Sequence, residues 1–247
     1  MSLHGKSAFV TGGGSGVGAV IAVMLAEAGA SVTICGRRIA PLQSIAAKHD
    51  SITAVVCDIT DEAAISQAIA TAAPDIVVAN AGASESAPFV RTELAAFERM
   101  MSVNVTGTFL TLREGAKAMK GKPWGRLIAI ASTAGLKGYP YVAPYAAAKH
   151  AVVGMVKSVA LELARKDITV NAICPGFLDT EMTERSIANI VEKTGRSYED
   201  ARGSLEATNP MHKLVPPEDV AHAVLWLCAQ GSDMVTGQCI SVSGGET

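Results

Sequence analysis

Tyr145-Ala146-Ala147-Ala148-Lys149 sets a phenol and an ammonium four residues apart. Pro144, just ahead, suits the first turn of a helix, where its missing N–H costs nothing. Tyr145 then stands near a helix start, and Lys149, at i+4, shares its face. Such a pair can do proton transfer at an oxygen. A free phenol, with a pKa of about 10, is a poor base near neutrality. An ammonium about 4 Å away, at an effective dielectric near 20, favours the phenolate by up to ~4 kcal/mol. The helix start pushes the same way. Ser132, closing a short apolar run upstream, could hydrogen-bond the reacting oxygen. Taken alone, the pair also describes an ordinary amphipathic helix whose Lys lays its stem along apolar surface. The surrounding elements must decide.

Those elements alternate in a regular way. Short β-branched runs fall at Ser7–Thr11, Ser31–Cys35, Ile52–Cys57, Asp75–Ala79, Gly125–Ala131, Ile168–Ile173 and Gln238–Val242. Helical patterns separate them at about Val17–Ala28, Ala40–Lys48, Glu62–Ala72, Leu94–Met119, Tyr145–Arg165 and Asp219–Ala229. Near-continuous apolar strands mean a sheet covered on both faces, hence a parallel one. Strand–helix alternation along the whole chain predicts an α/β fold, a doubly wound sheet of about seven strands. With no linker, repeat or low-complexity segment, residues 1–247 read as a single domain. The rhythm breaks once, at about residues 176–215, where a polar and helical insertion (Glu181–Glu206) follows a strand end. Irregular connections at the carboxyl edge of a parallel sheet are where substrate loops sit.

Composition narrows the class. At 49% hydrophobic and 18% charged residues, the chain can bury a large core and does not read as disordered. A net charge of −2 leaves no broad basic field, which argues against nucleic acid as a partner. The start, Met1 to Lys6, lacks a signal-peptide pattern, and no apolar stretch has the length of a membrane span. The five cysteines are scattered, without C-x-x-C spacing, and the His residues form no ligand pair. Free thiols in a reducing cytoplasm and no metal are the expectation.

The segment after the first strand carries a second chemistry. Thr11 to Gly18 reads G-x-x-x-G-x-G at Gly12, Gly16 and Gly18, with Ser15 and Val17 between. A pyrophosphate must approach backbone N–H groups at a helix start, where a Cβ would block it and the helix dipole favours the anion. The second strand ends Cys35-Gly36-Arg37. In dinucleotide folds an acid at this place holds the ribose 2′-hydroxyl. Here Gly36 replaces it, and Arg37 can pair with a phosphate. NADP(H) is therefore favoured, with NAD(H) still possible.

With these motifs in order, the chain from Lys6 to Gly245 resembles the short-chain dehydrogenase/reductase family, a Rossmann-type fold. The family's glycine motif is similar to Thr11–Gly18, its Asn-Ala-Gly motif to Asn80-Ala81-Gly82, and its helical asparagine to Asn104. Its serine matches Ser132, its Tyr-x-x-x-Lys matches Tyr145 and Lys149, its Pro-Gly turn Pro175-Gly176, and its adenine-contacting acid Asp58, followed by Ile59. The resemblance implies a hydride transfer between a nicotinamide and a secondary alcohol/ketone pair. It implies that Tyr145 is the general acid/base, that Lys149 tunes it and binds the nicotinamide ribose, that Ser132 orients the substrate and that Asn104 holds a proton-relay water. It further implies that backbone near Asn80 and Ile130 lines the cofactor, that Thr180 touches it, and that the protein is a homotetramer. Related family members make a 3-hydroxyacyl or 3-oxoacyl thioester the expected substrate, with alicyclic or aromatic alcohols as the alternative. A non-catalytic dinucleotide sensor is the distant alternative, since such proteins lose the Tyr or Lys. Leu136, Tyr139, Tyr141, Phe177 and Met182 are the candidate substrate wall. Arg185, Lys193, Arg196 and Arg202 in the insertion could meet coenzyme A phosphates, but the many acids beside them also fit a solvated mixed-charge face.

Overall fold

The computed structural model describes residues 2–247. Strands β1 (Ser7–Thr11), β2 (Ser31–Gly36), β3 (Ile52–Val56), β4 (Ile76–Ala79), β5 (Gly125–Ile130), β6 (Ile168–Pro175) and β7 (Cys239–Val242) form one sheet. Its order is β3-β2-β1-β4-β5-β6-β7, with every neighbouring pair parallel. The helices are α1 (Gly16–Glu27), α2 (Ile39–Ala46), α3 (Glu62–Ala72), α4 (Leu94–Met101), α5 (Gly107–Ala118), α6 (Ala143–Leu163), α7 (Glu181–Thr194), α8 (Tyr198–Glu206) and α9 (Pro217–Cys228). Every residue of β4, β5 and β6 is buried, so these strands carry apolar residues on both faces. In β1, Ala8 and Val10 join Leu25 of α1 and Val224 of α9 in one core layer. Phe9 points the other way, to Ile65 of α3, Leu112 of α5 and Val156 of α6. Strand order reverses between β1 and β4, and the carboxyl ends diverge there into a crevice.

Two expected helices are divided. The run Leu94–Met119 is interrupted by a π-helical turn, Ser102–Thr106, between α4 and α5. At its centre is Asn104, which is fully buried. The Asn104 amide donates to Met100 O at 3.0 Å and to Ala83 O at 2.9 Å. A side chain that takes its own helix's carbonyl competes with the backbone ladder. Single π turns of this kind recur at functional sites. The run Glu181–Glu206 divides at Gly195 (φ +70°), which caps α7 in the left-handed region before Ser197 caps α8. The two ends of this excursion meet in a parallel bridge between Leu178 and Val215. Other boundaries move by one to three residues, as where β6 runs on to Pro175.

Candidate active site

The crevice is stitched at its base by Thr11 and Asn80. Thr11 Oγ1 accepts from Asn80 N at 2.9 Å and from Ala81 N at 3.0 Å. Asn80 Nδ2 donates to Thr11 O at 2.9 Å and Gly12 O at 3.4 Å. These bonds join the ends of β1 and β4 and pin the glycine loop between them. A Cβ on Gly18 would lie 2.3 Å from Asn80 Nδ2 and 2.5 Å from Gly12 O, so only glycine lets α1 start this close. Gly12 and Gly16 hold φ of +66° and +53°, in the region glycine enters without strain. Ser15 occupies the N-cap of α1 without capping it, and the first turn has no acid. The helix therefore offers free N–H groups and its positive end to an anion. Thr180 closes in from the other side: a Cβ on Gly16 would lie 3.8 Å from its Cγ2. A cradle of amides without side chains or carboxylates fits the diphosphate of a dinucleotide.

At the far end, Gly36 leaves the tip of β2 open and Arg37 is exposed. Asp58 Oδ1 accepts from Thr60 N at 2.9 Å and Thr60 Oγ1 at 2.8 Å. The Thr60 N–H above all holds its carboxyl below the usual range, against burial, with help from the Thr60 hydroxyl and the charge of Arg37. Arg37 and Asp58 thus share one corner. Ile59 turns its side chain into the core against Gly107, and offers a ligand only its backbone.

At the near end the four candidate catalytic residues gather. The turn after Ser132 packs so tightly on α6 that a Cβ on Gly135 would lie 2.7 Å from Lys149 O. Ser132 Oγ accepts from Ala134 N at 3.1 Å, and its hydroxyl lies close enough to the Tyr145 phenol to favour the phenolate. Lys149 is buried one turn into α6 from Tyr145. Its Nζ donates to Ile130 O at 2.9 Å and lies 5.6 Å from the Tyr145 ring centroid. Gly82 lies between it and Asn104: a Cβ there would be 2.7 Å from Asn104 Oδ1 and 3.6 Å from Lys149 Nζ. Asn104 Oδ1 also accepts from Ala83 N at 3.3 Å.

The electrostatics differ from the expectation. Burial pushes the Lys149 ammonium down to about 8. Burial also raises the Tyr145 phenol, and the Ser132 hydroxyl only partly offsets this. The expected net depression of Tyr145 by Lys149 is therefore corrected. Desolvation acts on both groups and favours both neutral forms, while the lysine points its hydrogen bond at a backbone carbonyl.

The expected substrate wall is met in part. Tyr139 and Phe177 pack edge to face at 6.1 Å between centroids. Leu136, Tyr141 and Met182 stand exposed, and the Tyr141 carbonyl ties Ala87 N at 2.8 Å. Thr133 Oγ1 bonds the Tyr139 hydroxyl at 2.6 Å. Two members of this wall were not anticipated from the sequence, Lys137 and the near-terminal Glu246, both bonded around Tyr139. In the insertion, Arg202 is taken up by Asp179, Glu184 and Glu206 at 3.9, 3.5 and 2.9 Å, which fits the mixed-charge reading. Asn189 Nδ2 donates to Ser86 Oγ at 3.0 Å, bridging α7 to the segment after β4.

The family model described as short chain dehydrogenase matches residues 6–190. The chain belongs to this family. Among curated relatives of this short chain dehydrogenase is the 3-oxoacyl-(acyl-carrier-protein) reductase FabG of Rickettsia prowazekii, 34% identical, with 99% of this chain and 98% of that protein covered. Among solved structures, a variant of actinorhodin polyketide ketoreductase with NADPH superposes with a TM-score of 0.94 at 32% identity, covering 100% of this chain and 99% of that one. A 3-ketoacyl-(acyl-carrier-protein) reductase from Brucella melitensis complexed with NADH gives 0.89 at 31% identity, covering 99% of both chains. As a short chain dehydrogenase the protein is an oxidoreductase. Among its described residues no helix is long and apolar enough to cross a membrane.

Proposed function

We propose that the protein moves a hydride between NAD(P)(H) and a secondary alcohol/ketone, its substrate a 3-oxoacyl or 3-hydroxyacyl thioester. The observation that carries this reading is the meeting of Ser132, Tyr145, Lys149 and Asn104 at the crevice whose other end is an uncapped glycine cradle. The bound nicotinamide supplies or accepts the hydride. Tyr145 gives or takes the proton at the substrate oxygen, which Ser132 orients. Lys149 binds the nicotinamide ribose, and its ammonium, meeting Asn104 across Gly82, passes the proton onward through a water. The glycine loop, with Ser15, Val17 and Thr180, holds the diphosphate. Backbone at Asn80, Ala81, Gly82, Ile130, Pro175 and Gly176 lines the rest, and Asp58 and Ile59 border the adenine. Arg37 beside Gly36 supports NADP(H) over NAD(H). Tyr139 and Phe177 form the wall against which the acyl group lies, with Leu136 and Met182 at its mouth. The names of the relatives, reductases of ketoacyl groups, support the substrate class.

The protein assembles as a homotetramer through α4, α5 and α6, a reading supported by exposed Leu94, Phe97, Phe109 and Leu161 on those helices. Five free cysteines, four of them buried, support a cytoplasmic, reducing location. The deciding experiment is Tyr145→Phe. Turnover of a 3-oxoacyl thioester should fall at least ~10³-fold, with cofactor binding by calorimetry nearly intact. A variant that keeps most of its rate removes Tyr145 from the chemistry.

A further inference from the structure

The carboxyl-terminal residues fold back over the end of β6, and Glu246 enters there with its side chain 1% exposed. Its Oε1 accepts a hydrogen bond from the Tyr139 hydroxyl and forms an ion pair with Lys137 Nζ at 3.0 Å. Tyr139 is fixed in place by Thr133 Oγ1 and by its edge contact with Phe177, and its phenol lies within electrostatic reach of Tyr145. One neutral hydrogen-bond donor and one cation, both from the segment that follows Ser132, thus converge on the Glu246 carboxylate.

Glu246 fills this place imperfectly. Its Oε2 is buried without a hydrogen-bond partner among the described residues, a deficit that the protein interior penalises. That oxygen faces Gly176, where a Cβ would lie 3.2 Å away. The tail reaches the site through Gly244 (φ +63°) and Gly245 (φ +93°). Gly244 is wedged so that a Cβ would lie 1.9 Å from Asn209 Oδ1, whereas at Gly245 the nearest atom would be Pro210 Cγ at 3.8 Å. The joint at Gly245 is thus more loosely packed than that at Gly244, and just beyond Glu246 the Thr247 hydroxyl bonds Ser241 Oγ at 2.7 Å. Lys137, 39% exposed, keeps solvent access to the same spot.

We propose that Lys137 and Tyr139 form a carboxylate subsite for the substrate, filled by Glu246 until a substrate that bears a free carboxylate displaces it. This rests on the oxidoreductase reading above and narrows its substrate class. The carboxylate is either that of a free 3-oxo acid or one at the far end of an acyl chain held as a thioester. Two matched pairs separate these sources. The first is 3-oxobutanoate against its ethyl ester. The second is the N-acetylcysteamine thioester of 3-oxohexanedioate against that of 3-oxohexanoate. Within each pair the compounds share the reacting ketone and differ by one carboxylate.

The readout is the kcat/KM ratio, charged over neutral, in wild type, Glu246→Ala and Lys137→Met. Glu246→Ala should raise the ratio about tenfold in one of the pairs, mainly through KM, because the substrate no longer competes with the tail. Lys137→Met should lower it by about tenfold, the worth of one charge-assisted hydrogen bond. If Glu246→Ala slows all four compounds alike, Glu246 is a structural strut and the proposal is wrong. It is equally wrong if Lys137→Met leaves both ratios unchanged. Should wild type reduce none of the four with either cofactor, the reading of the reaction fails instead, and binding alone judges the subsite. Butanoate titrated calorimetrically should then bind Glu246→Ala about tenfold tighter than the Lys137→Met/Glu246→Ala double variant. Equal binding refutes the subsite.

Discussion

Lys149 is a buried ammonium whose cost to stability should depend on pH. Its ammonium has a pKa of about 8 in the fold against an ordinary 10.5. Below pH 8 both the folded and the unfolded chain carry the proton, and stability does not depend on pH through this group. Between pH 8 and 10.5 the unfolded chain holds a proton that the folded chain has lost, so stability rises with pH. Each unit is worth about 1.4 kcal/mol, so the two units from pH 8 to pH 10 amount to roughly 2.7 kcal/mol. The burial that creates this difference is the cost of holding a charged lysine beside Tyr145 at neutral pH.

Lys149→Met keeps the length of the side chain and removes the charge. It also strips Ile130 O of its 2.9 Å hydrogen bond, a loss that does not depend on pH. Urea unfolding of wild type and variant at pH 7 and pH 10 therefore isolates the titration. Wild type should gain roughly 2–3 kcal/mol on the variant between the two pH values, the constant offset cancelling. Cys174, pushed up to about 12 by burial, stays neutral across the window. A difference that stays flat, or falls as pH rises, refutes the account of Lys149 as a buried, strained ammonium.

Two further outcomes follow from the cofactor cradle. Gly18→Ala should lose about 1–3 kcal/mol of stability, because its Cβ must push back Asn80 and the Gly12 carbonyl. Urea midpoints and calorimetric NADPH affinity should fall together, and a variant unchanged in both would mean the loop is looser than its contacts. Arg37→Ala should weaken NADPH binding by about 1.5–3 kcal/mol, the worth of a hydrogen bond to a charged group, with little effect on NADH. Wild type that binds NADH as well as NADPH would overturn the NADP(H) preference and bring forward an oxidative role.

Sequence order and periodicity located the glycine loop, Ser132, the Tyr145–Lys149 turn and all seven strands, because each of those signals is local. A buried parallel strand reads as a continuous apolar run, and a helix start reads from Pro144. What stayed hidden depends on contacts between distant residues. The apolar period runs unbroken through Leu94–Met119, and the π turn is centred on Asn104, which bonds Met100 O in its own helix and Ala83, 21 residues away. Glu246 meets Tyr139 across 107 residues, with no pattern near either one to announce it. The insertion's two helices were legible as helix but not as two, since Gly195 ends one in a region of even polarity.

The proton chemistry shows the same division. Spacing alone puts Tyr145 and Lys149 on one helix face, and from spacing the charge of the lysine is the obvious influence on the phenol. Burial is the larger effect, and it acts on the two groups in opposite directions, raising the phenol and lowering the ammonium. Both shifts favour the neutral forms. A neutral phenol is the form that donates a proton to the alkoxide created when a ketone accepts a hydride. Oxidation needs the phenolate, which this burial opposes and which the positive charge of an oxidised nicotinamide would have to restore. The packing around Tyr145 therefore favours its neutral, proton-donating form.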